Sequence, residues 1–152
     1  MRRVGLEQEP HSFGASPEDD RTTQDPKFVE GALRDPDQAL LGAFAPGLVG
    51  MVGIYRDRMI KAKHKAHIWG MYVSPDGRGK GTGKQLMEAA LQWAEGQEGI
   101  IQVHLIVSSQ TPVAQSLYRS LGFSLWGTEP SALRINGELV DDQHMVKILA
   151  RA

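Results

Sequence analysis

Four of the seven residues from Gly77 to Gly83 are glycine, within the stretch YVSPDGRGKGTGKQLMEAAL. So few side chains cannot form a core, so the flanks decide what the segment does. Ahead of it, AHIWGMYV at 66–73 is rich in aromatic and β-branched residues and predicts a strand, closed by the turn signal Ser74-Pro75-Asp76-Gly77. Behind it, a helix is predicted from about Thr82 to Gly96, with Leu86, Ala90 and Trp93 beside Met87, Leu91 and Ala94 on one face. A strand, a glycine-rich turn and a helix in that order bring backbone N–H groups together at the positive end of a helix, where small residues let an anion approach. Arg78, Lys80 and Lys84 add positive charge there. A tight connection that is glycine-rich for conformational reasons alone is the competing explanation.

The rest of the chain alternates in the same way. QALLGAF and LVGMVGIY, separated by Ala45-Pro46-Gly47, predict a hairpin. IIQVHLIV at 100–107 predicts a central strand, with Ile101, Val103, Leu105 and Val107 on one face, Ile100 and Ile106 on the other, and both faces covered. Thr111 before Pro112 predicts a capped helix start, and Val113, Leu117 and Leu121 form the stripe of a helix that Gly122 stops. FSLWGTE and a segment near DQHMVKIL predict two closing strands, with a turn at Asn136-Gly137. The strand-helix-strand unit calls for a parallel crossover and the hairpins for antiparallel pairs, so the sheet is expected to be mixed. Residues 1–38, with Pro10, Pro17, Pro26 and Pro36, predict short helices joined by turns.

Composition narrows the function. The chain has 152 residues and room for one domain. It has no cysteine, which removes disulfides, thiolate metal sites and a cysteine nucleophile and makes a cytoplasmic setting the simpler assumption. His11, His104 and His144 show no ligand spacing, so no metal is expected. The formal charge of -1 gives no support to nucleic-acid binding, and no apolar run suits a membrane span. That charge hides a split. Residues 1–38 carry five basic and nine acidic side chains, whereas residues 56–84 carry eight basic and two acidic.

Spacing then discriminates between anion-binding loops. A phosphate loop ending at Gly83-Lys84 needs glycine at 78 and serine or threonine at 85, where Arg78 and Gln85 stand. A dinucleotide fingerprint needs its third glycine at 82, 84 or 86, where Thr82, Lys84 and Leu86 stand. The pattern that fits is Arg-x-x-Gly-x-Gly, met by Arg78, Gly81 and Gly83, and here the chain resembles the GNAT superfamily of N-acetyltransferases. A second stretch, Thr111 to Phe123, resembles that family's Asn-x-x-Ala-x-x-Leu-Tyr-x-x-x-Gly-Phe at Ala114, Leu117, Tyr118, Gly122 and Phe123. The resemblance covers roughly residues 40–149.

The resemblance implies one α/β domain over 1–152, with a partial helical region at 1–38 and a cofactor-binding core at 40–149. Its sheet is mixed and mostly antiparallel, flanked by helices, with a V-shaped splay between the central strands. The family opens with a strand ahead of its first two helices; nothing in residues 1–13 reads as that strand, and PHSFGASPEDD resembles the link between those helices, so the first strand is expected to be missing. The implied reaction moves an acetyl group from acetyl-coenzyme A directly to a primary amine of a small molecule or protein, without a metal. A homodimer is left open. The cofactor would meet Met71, Tyr72 and Val73 along its arm, Arg78, Gly79, Lys80, Gly81, Thr82, Gly83 and Lys84 at its pyrophosphate, and Thr111, Ala114 and Tyr118 beyond. Tyr118 would give the departing thiolate its proton, as the family resemblance implies.

Two departures stand out. Thr111 replaces the family's asparagine and has no amide to offer the cofactor arm. The strand before the turn lacks the glutamate that many members use as a base. His67 lies on that strand and His64 just ahead of it, and an imidazole is suited to accepting a proton near neutrality. For the acceptor, Glu18, Asp19, Asp20, Glu30, Glu129, Asp141 and Asp142 are candidates to attract a cationic amine, against a simpler reading as solvated surface charge. These departures also keep open a module that binds acyl-coenzyme A with little or no turnover.

Overall fold

Ahead of the first strand the chain is helical in short pieces, as its prolines and acidic caps require. In the computed structural model, which describes residues 1–150, α1 (Arg2–Gln8) leads through a 3-10 turn at Pro10–Ser12 to α2 (Arg21–Gln24) and α3 (Pro26–Arg34). Asp20 accepts from the N–H groups of Thr22 and Thr23, and Asp25 from that of Lys27 with Pro26 at the first helical position. Arg2 reaches back to the buried Asp20 and ties α1 to α2. No strand precedes these helices among the described residues.

The sheet follows: β1 (Gln38–Phe44), β2 (Leu48–Arg56), β3 (Lys65–Val73), then α4 (Thr82–Gly96), β4 (Gln102–Ser108), α5 (Pro112–Ser120), β5 (Ser124–Ile135) and β6 (Glu138–Ile148). Its six strands run in the order β1-β2-β3-β4-β6-β5, antiparallel except for the β3–β4 pair, which α4 connects. Asn136 and Gly137 both have positive φ, 50° and 82°, as the tight turn between β5 and β6 requires. Among the described residues no helix is long and apolar enough to cross a membrane.

One face of the sheet carries the main core. Leu86, Met87, Ala90, Leu91 and Ala94 of α4 pack there on Val52, Ile54, Val103 and Leu105, joined by Met145 and Leu149. Removing a side chain as enclosed as Met87, which is 0 % exposed, would cost about 2–5 kcal/mol. The other face holds a smaller cluster of Leu6, Phe13, Met51 and Tyr72 under α1.

Four expectations are corrected. β4 is well covered on one face only: Val103, Leu105 and Val107 are buried, but Ile106 is 59 % exposed on the other, which the short 3-10 turn at Pro10–Ser12 approaches without covering it. Ile101 falls outside the strand and is exposed. On α5 the buried residues are Gln115 and Tyr118, with Ala114, Leu117 and Leu121 partly buried, while Val113 is 84 % exposed. With Pro112 opening the helix, its inner face runs through 114 and 118 rather than 113. Thr111 does not cap through its side chain; its hydroxyl donates to the Ser108 carbonyl at 2.9 Å.

A candidate active site at the splay between two strands

β3 and β4 pair only from Lys65 to His67 against Gln102 to His104, and beyond that they part. A bulge sharpens the separation. Met51 lies opposite Tyr72 and Gly53 opposite Trp69, so β3 carries an extra residue at Gly70-Met71, where Gly70 adopts φ +64°. The extra residue reverses the alternation of side chains. Ala66 and Ile68 face the main core before the bulge, Met71 and Val73 pack on it after, and Tyr72 turns to the opposite face. Residues 68–73 are left with a strand partner on the β2 side alone.

A cleft of about 140 Å³ occupies the splay, lined by Ile68 to Val73 of β3, Leu105 to Val107 of β4, and Thr111, Ala114, Leu117 and Tyr118. The Tyr118 ring is buried edge-on to Phe123, at 6.2 Å between centroids. Its hydroxyl has no hydrogen-bond partner among the described residues. Burial pushes its pKa up to about 12, so it stays protonated through the neutral range and is available to donate.

The glycine turn lies at the outer end of the cleft. Its four glycines separate into two kinds. A Cβ on Gly77 would come within 3.0–3.1 Å of Val73 and Val49, and one on Gly83 within 3.2 Å of Met71, so these two serve close packing. Gly79 and Gly81 adopt φ of 73° and 75° with nothing within 4 Å of a Cβ, so the space above them is open. No side chain caps α4, which leaves the N–H groups of its first turn without a side-chain partner. The Arg78 Nε donates to the Val73 carbonyl at 3.0 Å, and its Nη2 to Glu9 at 2.9 Å. The Lys80 ammonium donates to the Asp76 carbonyl and the Thr82 hydroxyl to that of Gly77, while Lys84 stands 3.8 Å from Glu88. A cationic, open, N–H-lined turn beside an unpaired strand edge fits the pyrophosphate and amide arm of a coenzyme A thioester.

A second, larger groove of about 510 Å³ opens on the face of the sheet away from α4. It shares Ile68, Trp69, Gly70, Leu105 and Ile106 with the cleft, so the two cavities meet at the bulge. A row of rings crosses it, one from each of five strands: Tyr55 on His67 at 5.1 Å, His67 on His104 at 5.6 Å, His104 to Trp126 at 6.4 Å, and Trp126 to His144 at 5.3 Å. The His67 Nε2 hydrogen-bonds Asp57 at 2.8 Å, which leaves Nδ1 as the free ring nitrogen. The Met59 N–H and His67 together hold the Asp57 carboxyl below the usual range. Burial, with the positive charges of its neighbours, lowers the pKa of His104.

His67 and Tyr118 therefore line different cavities joined at the bulge. The ring row and the Asp57 partner escaped sequence reasoning, although the signal was there: His67, His104 and His144 occupy the strand positions facing away from the core. Among the acidic candidates only Asp142 lines the groove. Asp20 is taken up by Arg2, Asp141 by the Ser131 N–H and Glu129 by His144. No group of three or more metal-ligating side chains is assembled among the described residues.

The model of the acetyltransferase (GNAT) family matches residues 5–123, most of the chain. The chain belongs to the GNAT family. An N-alpha-acetyltransferase, RimI of Mycobacterium tuberculosis, is 35 % identical over 114 residues, covering 74 % of this chain and 68 % of that protein. Two solved acetyltransferase structures share the fold. The ribosomal-protein-alanine N-acetyltransferase of Brucella melitensis superposes with a TM-score of 0.83 at 20 % identity, over 97 % of this chain and 89 % of that one. The yncA protein of Salmonella typhimurium, with its cofactor acetyl-CoA, gives 0.85 at 18 % identity, over 99 % and 85 %. The GNAT family uses acetyl-coenzyme A, and acyltransferase activity follows for this chain.

Proposed function

We propose that the protein transfers the acetyl group of acetyl-coenzyme A to a primary amine, with the α-amine of a peptide or protein amino terminus as the favoured acceptor. The observation that carries this reading is the meeting of two cavities at the Gly70 bulge: one holds the Tyr118 hydroxyl and an unpaired strand edge, and the other is open to an acceptor. The likeness to an N-alpha-acetyltransferase supports the choice of amine.

In this reading Gly79 to Lys84 and Arg78 hold the pyrophosphate, Met71 to Val73 pair with the amide arm, and Thr111 and Ala114 flank it. Acetyl-coenzyme A supplies the activated thioester. Backbone N–H groups near Met71 polarise its carbonyl, and Tyr118 protonates the departing sulfur. His67, held by Asp57 through Nε2, accepts the amine's proton at Nδ1 through groove water. The test follows thiol release from acetyl-coenzyme A in the presence of peptide amino termini, lysine side chains and small amines. Amine-dependent release supports the reading; coenzyme A binding without release from any amine supports the binding module instead.

A further inference from the structure

The charges around the acceptor groove are unevenly satisfied. Arg2 is committed to Asp20, and the carboxylates of Asp57 and Glu129 are committed to His67 and His144. Two formal charges remain on the lining. Lys65 has no carboxylate within ion-pair distance among the described residues, and Asp142 stands at the other end. Burial and the charge of Glu129 raise the pKa of Asp142.

Their places in the sheet fix the separation. Lys65 lies opposite Gln102 on β4, and Asp142 lies opposite Ser108. Six residues of β4 at about 3.3 Å each put them roughly 20 Å apart. The Asp142 end adjoins the junction with the cleft, because the neighbouring pair on that face is Ile106 with His144. The ring row lies between the two ends. Besides Lys65 and Asp142, the titratable groups facing this space are Arg2, His11, Tyr55 and the three histidines of the row.

We propose, resting on the acetyltransferase reading, that this groove selects acceptors in which a carboxylate lies well away from the amine. The amine sits at the Asp142 end beside the bulge, the body lies extended over the rings, and the carboxylate meets Lys65. An extended peptide covers that distance in about five or six residues, so the class is a peptide amino terminus with an acidic residue near that position. A polycation is disfavoured, because its second charge meets the Lys65 ammonium.

The test uses six-residue peptides that differ only at the fifth position, Asp, Ala or Lys, together with a linear triamine. The readout is kcat/KM for thiol release at low and high salt. The expected order is Asp above Ala above Lys, with about tenfold between the ends at low salt, compressed at high salt, and the triamine last. Lys65→Ala should level the three peptides and Lys65→Glu should invert their order, with coenzyme A binding unchanged in both. Equal rates for the three peptides, an order that survives in Lys65→Glu, or a preference for the triamine overturns the proposal. Peptide binding followed by tryptophan fluorescence, with Trp69 and Trp126 lining the groove, separates the two claims. Charge-ordered binding without acetylation of any amine leaves the selection standing and removes the acetyltransferase reading. Turnover without charge order does the reverse.

Discussion

The guanidinium of Arg78 donates to the backbone carbonyl of Val73 at 3.0 Å, so the arginine of the glycine turn covers the last residue of the strand edge that an amide arm would use. Its other end is held by Glu9 from the loop after α1. On the proposed reading, a coenzyme A pyrophosphate competes with that carboxylate for the Arg78 guanidinium.

Glu9→Gln should release Arg78 and tighten coenzyme A binding. The pair is well exposed, at 47 % and 40 %, so screening limits the gain to about two- to fivefold at low salt. Arg78→Ala should weaken binding by about tenfold or more, since it removes a charge-assisted contact to phosphate. Calorimetric titration with coenzyme A measures both.

Tyr118→Phe should lower kcat by about 10²–10⁴ while leaving the Kd for coenzyme A within about twofold, as expected when a proton donor is lost but its ring remains. Single-turnover kinetics with saturating acetyl-coenzyme A give the first quantity, and equilibrium titration the second. An unchanged kcat would sink the acid role.

The same tyrosine gives a pH signature in stability. Its pKa is about 12 in the folded chain against an ordinary value of 10.0, so the folded form holds the proton that the unfolded form releases. The contribution is complete below pH 10 and is lost as pH rises from 10 to 12, by up to about 1.4 kcal/mol per unit. Urea midpoints between pH 9 and 11 should fall less steeply for Tyr118→Phe than for the wild type.

His67→Gln and Asp57→Asn should each lower kcat/KM less than Tyr118→Phe does, because in the proposed path the proton reaches His67 indirectly, through solvent. Steady-state rates with one peptide acceptor measure both, and an unchanged kcat/KM in both variants would remove His67 from the proton path.

Gly53→Ala and Gly79→Ala should part company. A Cβ on Gly53 would lie 2.1 Å from the Trp69 ring, which forms a wall of the groove, so the ring must leave its place. Overpacking of that kind costs about 1–3 kcal/mol, or a fall in Tm on the order of 2–10 °C for a chain of this size. At Gly79 nothing crowds a Cβ, and only the positive φ is strained, at about 1–2 kcal/mol. Thermal melts give the stabilities; peptide binding should suffer only in the first variant and coenzyme A binding only in the second.

Much of this architecture was legible in the sequence because short-range patterns specify it. The buried stripe of α4, the turn at Asn136-Gly137 and the Arg78–Gly83 motif each lie within a few residues of one another. What escaped was set by distant partners. Val113 looks like a core residue until the seating of α5 turns it outward, and Ile106 looks buried until β4 proves to be well covered on one face only. The ring row joins Tyr55 to His144 across five strands; strand alternation turns its three histidines away from the core, but no local period records that the rings meet. Glu9 and Arg78 meet across 69 residues. The bulge at Gly70, which reverses the parity of β3, is visible in the sequence only as one glycine in a strand.

The parting of β3 from β4 leaves the sheet with an opening that, on the proposed reading, a ligand's own amide groups would close. A donor that completes the hydrogen bonding there becomes in effect an extra strand, and the folded population then tracks its supply. At a hundredfold excess over Kd, that linkage adds about 2.7 kcal/mol to the free energy of unfolding. Resistance to heat or proteolysis in the cell would then report the abundance of free coenzyme, independently of whether any amine is being modified.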